Sequence, residues 1–252
     1  MYHEDLFNLS YRAHSDVAQK ICSDIVLESL SRDSLGPGNS GVVKFLVPLL
    51  QSRYEAGFLK NLYYQMSLKI GLCSNTLVHY YFLMSDRQFN YLNAKPGGNL
   101  NHFRANTILY NTMFDIKRLA SFELEPCFKI DLKKIQKTAK VNSSSYKKVH
   151  VIWLEPRPEI MTKLDSRSLL EYRFFVNQLM FRRTRLVMPV VEGWFENCRH
   201  DIENLNITES TRSGDLDREQ YFKLFCYIKK RSDYNRSTFL QAVECAEENL
   251  SV

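Results

Sequence analysis

The stretch Val42-Val-Lys-Phe-Leu-Val-Pro-Leu-Leu50, and the apolar run Leu77-Val-His-Tyr-Tyr-Phe-Leu-Met84 further on, belong to the block that decides how this chain is read. Both lie within residues 41–120, where apolar side chains recur at three- and four-residue intervals. The series runs Val43, Leu46, Val47, Leu50, then Tyr54, Phe58, Leu62, Met66, then Leu77, Tyr80, Tyr81, Met84, then Phe103, Ile108, Leu109, Phe114, Ile116 and Leu119. That period suits helices burying one face. The block reads as about four packed helices: one from Val42 broken or kinked at Pro48, then Gln51 to Ile70, Ser74 to Phe89, and Leu100 to Ser121.

Working outward, a first helix is expected from Ser15 to Leu30, after an arm over residues 1–12. At Glu125-Pro126 the character changes. Residues 127–132 and 148–154 pair as a hairpin or cross the surface as extended chain, the second showing alternation rich in β-branched and aromatic residues. Beyond Pro158, helices return. Asp165 or Ser166 caps one ending near Met180, and Val190 to Leu205, Tyr221 to Ile228 and Phe239 to Leu250 define others. The fold expected is mainly α: a multi-helix single domain of about eight or nine helices, with a short β-hairpin or extended insertion near 127–154. Residues 1–124 form an N-terminal helical block, 125–160 a basic insertion, and 161–252 C-terminal helices packing on the first block as one domain.

Composition bounds the function classes. No apolar run is long enough to span a bilayer, so no membrane partner is expected. Six cysteines are spread over most of the chain with no C-x-x-C pair, which places the protein in an intracellular, reducing compartment, cytoplasm or nucleus. Net charge is +6, and residues 129–148 alone carry seven lysines against Asp131, so the rest of the chain is balanced.

Three sites follow. Ser34-Leu-Gly36-Pro-Gly38-Asn39-Ser-Gly41 opens the helix expected from Val42. Backbone N–H groups there could cradle a phosphate or nucleoside, with Gly36, Gly38 and Asn39 as the contacts. These eight residues resemble the glycine loop of S-adenosylmethionine-dependent methyltransferases, which implies a small-molecule transferase. The pattern departs from that family in two places. No buried strand precedes the loop, and no acidic residue ends a second strand about 20 residues later, where a ribose partner would sit. The second site is basic: Lys133, Lys134, Lys137, Lys147 and Lys148 with Arg182 and Arg183 suit phosphates, making nucleic acid the alternative partner. The third is aromatic: Tyr63, Tyr64, Tyr80 and Tyr81 would line grooves between helices.

Other constellations fail on chemistry. Cys198-x-His200 is a single close pair, short of the two paired spacings of a structural zinc site. Asp115 and Asp131-Leu-Lys133 resemble the acid-acid-x-lysine arrangement of metal-dependent nucleases, but Asp115 falls in an expected helix. No catalytic residue, metal or cofactor is assigned. The reading from sequence is a non-enzymatic helical scaffold binding partner proteins, with self-association open. Nucleic-acid association through 129–148 is the alternative, and a nucleotide or S-adenosylmethionine transferase the third.

Overall fold

The computed structural model describes residues 43–49, 52–68, 78–98, 102–123 and 148–248. The expected arm and first helix, the loop residues Gly36, Gly38 and Asn39, the strand expected at 127–132, and Lys133, Lys134, Lys137 and Lys147 lie outside them.

The described chain forms β1 (Val43–Leu49), α1 (Ser52–Leu68), β2 (Val78–Ser85), α2 (Asp86–Leu92), α3 (Ala105–Met113), β3 (Phe114–Glu123) and β4 (Lys148–Pro156). Then follow α4 (Pro158–Lys163), α5 (Ser166–Met180), α6 (Val187–Glu192), α7 (Arg199–Glu203), α8 (Arg218–Lys229) and α9 (Thr238–Glu248), with single 3-10 turns at Ser213–Asp215 and Tyr234–Arg236. The chain divides into two compact units. One holds the chain up to Asn90 and Met113–Met161; the other holds Tyr91–Thr112 and the chain from Thr162.

The first unit overturns the mainly α expectation. Among the described residues it contains a four-stranded mixed sheet in the order β1-β2-β4-β3 and is an α/β unit. β1 and β2 pair in parallel from Val43↔Val78 to Leu49↔Met84, and a parallel pair needs a crossover, which α1 supplies. β4 is antiparallel to both β2 and β3. The error has a physical cause. Both faces of β2 carry apolar side chains, Tyr80, Phe82 and Met84 buried and Tyr81 and Leu83 half-buried, and such a nearly continuous apolar run also satisfies the helical template. Length and composition separate the two. Val78–Ser85 spans eight residues and carries Val78, Tyr80, Tyr81 and Phe82, all good strand formers. The expected helix over 100–121 is likewise α3 followed directly by β3. The Arg157 N–H donates to the Met113 carbonyl at 2.9 Å, satisfying one of the carbonyls that the helix end leaves open. β4 is an inner strand between β2 and β3, not half of a peripheral hairpin.

One face of the two inner strands, β2 and β4, is buried. Tyr80, Phe82 and Met84 sit opposite Leu154, Ile152 and His150 in register, and all six are at most 2% exposed. On α1, Phe58, Leu59, Leu62, Tyr63 and Met66 make the helical stripe that covers them, with Phe58 edge-on to Phe82 at 5.6 Å. Each such side chain contributes about 1.5–3 kcal/mol on leaving water. Between Arg118 and Ala120 the β3 register shifts by one residue. Leu119 is the extra residue of this bulge and stands half in solvent.

The second unit is helical. The Asp165 carboxylate caps α5 by accepting the Ser168 N–H at 2.7 Å. α5 buries Leu169, Tyr172, Phe175, Val176 and Leu179, and α8 buries Tyr221, Phe222, Leu224, Phe225 and Ile228. Their rings meet in one cluster, Tyr172 to Phe225 at 5.2 Å and Phe175 to Phe225 at 5.6 Å, which Phe239 of α9 and Trp194 extend. The amphipathic run expected from Val190 to Leu205 is two short helices. Asn197 breaks it at φ 53°, a left-handed conformation that asparagine tolerates. The chain turns at Lys95-Pro-Gly-Gly, with Gly97 at φ 68° and the Gly98 N–H bonded to the Lys95 carbonyl.

Candidate functional site

The carboxyl end of β2 gathers the most chemistry in the first unit. β2 ends at Ser85, which is buried, and the chain continues into Asp86, the first residue of α2. Because β4 runs the other way, its beginning lies beside the end of β2: His150 faces Met84 and Val149 faces Ser85. β3 brings Ser121 opposite His150 from the other side. The three strands thus place a carboxylate and an imidazole together from residues 64 apart in sequence.

His150 Nε2 lies 2.8 Å from Asp86 Oδ1. A carboxylate only accepts, so Nε2 carries the proton and donates it. The imidazole is 2% exposed, whereas the Asp86 side chain is 44% exposed. Asp86 Oδ2 accepts from Asn90 Nδ2 at 3.2 Å. Among the described residues, the other ring nitrogen, Nδ1, is buried with no hydrogen-bond partner. In the neutral imidazole it is an acceptor, a group that costs about 1–3 kcal/mol to bury unpaired. Phe89 packs on the ring at 4.6 Å and a tilt of 33°, and the Arg118 guanidinium lies 5.5 Å from the Phe89 centroid. The result is a half-exposed carboxylate, a buried acceptor nitrogen and an aromatic wall at the end of a parallel strand. In open α/β sheets, that end is where ligands bind.

Asp86 corrects one premise of the sequence reading. An acidic residue does follow a second strand, hidden by the helical reading of 74–89, although it stands 45 residues after Gly41 rather than about 20. A second premise is corrected against the glycine loop. The segment from Val43 that follows Gly41 is strand β1, so the helix N-terminus that was to cradle a phosphate is not formed there.

The four tyrosines do not make a groove between helices. Tyr63 and Tyr80 are 3% and 2% exposed, and Tyr80 stacks on Phe82 with centroids 5.8 Å apart. Tyr64 and Tyr81 are half-buried. These rings belong to the packing of a sheet and its crossover helix, and the scaffold reading built on them is withdrawn. Of the basic residues, Lys148 and Arg182 are exposed, while Arg183 is half-buried and donates to the Phe103 carbonyl at 3.1 Å. Lys229 is held by Glu171 and Arg231 by Asp233, so neither is a spare cation. Cys198 is fully buried and burial pushes its thiol up, whereas His200 is exposed. Asp115 is an exposed residue of β3, 3.9 Å from Arg157. Among the described residues, no three His, Cys, Asp or Glu side chains form a metal-binding group, and no helix is long and apolar enough to cross a membrane.

The second unit holds a separate buried polar cluster. Glu171, 3% exposed, accepts from Lys229 Nζ at 2.8 Å, Tyr234 OH at 2.9 Å and Arg167 Nε at 3.2 Å. All its partners are internal, so this cluster holds α5, α8 and the 3-10 turn at Tyr234–Arg236 together.

No protein-family model matches the sequence, and no curated protein matches it. Among solved structures, the chain is similar to a dimethyladenosine transferase from Plasmodium falciparum, at 14% identity and a TM-score of 0.41, over 60% of this chain and 57% of that one. It is also similar to the 23S rRNA methyltransferase ErmE, at 10% identity and a TM-score of 0.43, over 81% of this chain and 77% of that one. The chain thus spans little more than half the length of the Plasmodium enzyme. Likenesses of that grade transfer neither residues nor activity.

Proposed function

We propose that this chain is an α/β transferase that uses S-adenosylmethionine, with nucleic acid as the acceptor. The observation that carries the reading is the group at the carboxyl end of β2. Asp86, His150 and Phe89 there offer a carboxylate, an acceptor nitrogen and an aromatic face. Of these, Asp86, with its side chain 44% exposed, is the group a nucleoside would reach, its carboxylate accepting from the ribose hydroxyls, while buried His150 and Phe89 hold it in place. The resemblance of Ser34–Gly41 to the methyltransferase glycine loop agrees with it, although that segment precedes a strand. The bound group would supply an activated methyl. The protein would bind and orient it, with Asp86 fixing the sugar and His150 held in one tautomer by Asp86. Nucleic acid is chosen as the acceptor because residues 129–148 concentrate the net charge of +6.

Isothermal titration with S-adenosylmethionine, and with its demethylated product, tests the reading. Saturable binding that Asp86→Ala weakens at least tenfold is expected. No heat and no thermal stabilisation at millimolar ligand would overturn it, because a ligand at 100 times its Kd should add about 2.7 kcal/mol to stability.

A further inference from the structure

Phe181 is 80% exposed, against 52% for Leu119, 47% for Phe122 and 39% for Leu186, the other exposed large apolar side chains among the described residues. It stands at the carboxyl end of α5 and opens the sequence Phe181-Arg-Arg-Thr-Arg-Leu186. The backbone of this turn is fixed from several sides. The Arg185 N–H donates to the Arg182 carbonyl at 2.8 Å, the Gly214 N–H to the Arg183 carbonyl at 2.8 Å, and the Ser213 N–H to the Arg185 carbonyl at 2.9 Å. Ser213 Oγ adds a bond to the Arg185 carbonyl at 3.2 Å, and Leu186 pairs with Arg212 in an antiparallel bridge. Arg183 is anchored inward on Phe103. Arg182, Arg185 and Arg212 point to solvent, and the nearby acid, Asp215, accepts the backbone N–H of Arg212 at 3.3 Å.

A ring this exposed is not core, and with Leu186 as its one exposed apolar neighbour on the turn it is too small a patch for apolar protein docking. Its surroundings select a ligand. Planar guanidinium groups match phosphate oxygens, and an open aromatic face stacks on an unpaired base. A duplex keeps its bases stacked on one another, so the ring needs a single strand. Because the turn is already rigid, binding orders few backbone torsions.

From this we infer that the 181–186 turn is a single-stranded nucleic-acid contact, with Phe181 stacking on a base and Arg182, Arg185 and Arg212 on the flanking phosphates. The inference deepens the transferase reading and rests on it for the acceptor class; the contact itself is measured separately.

The test is fluorescence anisotropy with labelled dodecamers of uridine and of deoxythymidine, over a salt series, in parallel with the S-adenosylmethionine titration. Wild type should bind both oligomers, since nothing in the turn reads the 2′-hydroxyl. Phe181→Ala should weaken binding by about five- to a hundredfold, the range of stacking on one base. Phe181→Tyr should restore most of it. Arg182→Ala with Arg185→Ala should lower the slope of log affinity against log salt by about 1.4, because two phosphates are no longer neutralised. All substituted side chains are exposed, so unchanged melting is the expected control. Wild-type binding that none of these variants alters would overturn the contact and leave the transferase reading standing. No oligomer binding at low salt, with S-adenosylmethionine still bound, would overturn both the contact and the nucleic-acid acceptor. Preferential binding of a protein with no oligomer affinity would do the same.

Discussion

Removing the Asp86 carboxylate exposes how the site is built. In Asp86→Ala, the His150 Nε2–H loses its acceptor while the ring stays 2% exposed, out of reach of water. An unsatisfied buried donor costs about 1–3 kcal/mol. Asn90, the other partner, is exposed and turns to solvent at little cost. Asp86 also opens α2, where a negative charge contributes about 0.3–1 kcal/mol to the helix dipole. The sum for Asp86→Ala is about 1–4 kcal/mol, centred on about 2.5 kcal/mol. Asp86→Asn keeps an acceptor oxygen and loses the charge, so it should cost about 1 kcal/mol. At about 2–4 °C per kcal/mol for a chain of this size, calorimetry should show a fall of about 5–10 °C for Ala and about 2–4 °C for Asn. Equal losses for the two variants, or none for Ala, would refute the claim that a buried histidine depends on this carboxylate.

Three further outcomes follow from the second unit and the thiols. Glu171→Leu strands Tyr234 OH and Lys229 together and should cost about 3 kcal/mol, while Glu171→Leu with Lys229→Met should recover part of it; urea denaturation that finds the double variant no better than the single contradicts the cluster. Burial pushes the Tyr221 and Tyr234 phenols well above the ordinary tyrosine range, with the Glu171 carboxylate adding to the effect at Tyr234. The unfolded chain then loses those protons near pH 10 while the folded chain keeps them, so stability is complete below about pH 10 and falls above it by up to about 1.4 kcal/mol per pH unit for each group; a flat stability from pH 9 to 11 contradicts this. Burial also raises the Cys198 and Cys226 thiols, so, among the three described cysteines, peptide mapping after brief alkylation at pH 8 should find exposed Cys245 modified first and Cys198 last; labelling of Cys198 ahead of Cys245 contradicts its placement.

The helical unit was legible because its signals are local. Asp165 caps α5 three residues before a free N–H, and the apolar stripe from Leu169 to Leu179 repeats at helical spacing. The α/β unit was not, because its defining feature is a pairing between residues 35 apart, Val43 with Val78. No window shorter than that contains it, and Val43–Leu49 taken alone fits either template. The site was hidden in the same way. Asp86 and His150 look ordinary in sequence, one in an expected helix and one in a strand; only β2 and β4 lying side by side make them a pair. One signal was available: Tyr80, Tyr81 and Phe82 in an eight-residue run ending in Ser85-Asp86 favours a strand that stops at a polar turn. Phe181 was hidden for the opposite reason. It ends a helix whose other phenylalanines are packed inside, and periodicity does not show that the chain turns before covering it.

The measurement closest to the central claim is the side-chain nitrogen spectrum of the protein labelled at histidine, with His150 assigned through His150→Gln. Without ligand, Nδ1 of His150 should resonate as an unprotonated acceptor and Nε2 as a protonated donor. Saturating S-adenosylmethionine should shift Nε2, because the Asp86 carboxylate that accepts from it also takes up the ribose hydroxyls, and leave Nδ1 unprotonated. A His150 spectrum that saturating ligand leaves unchanged would contradict the account.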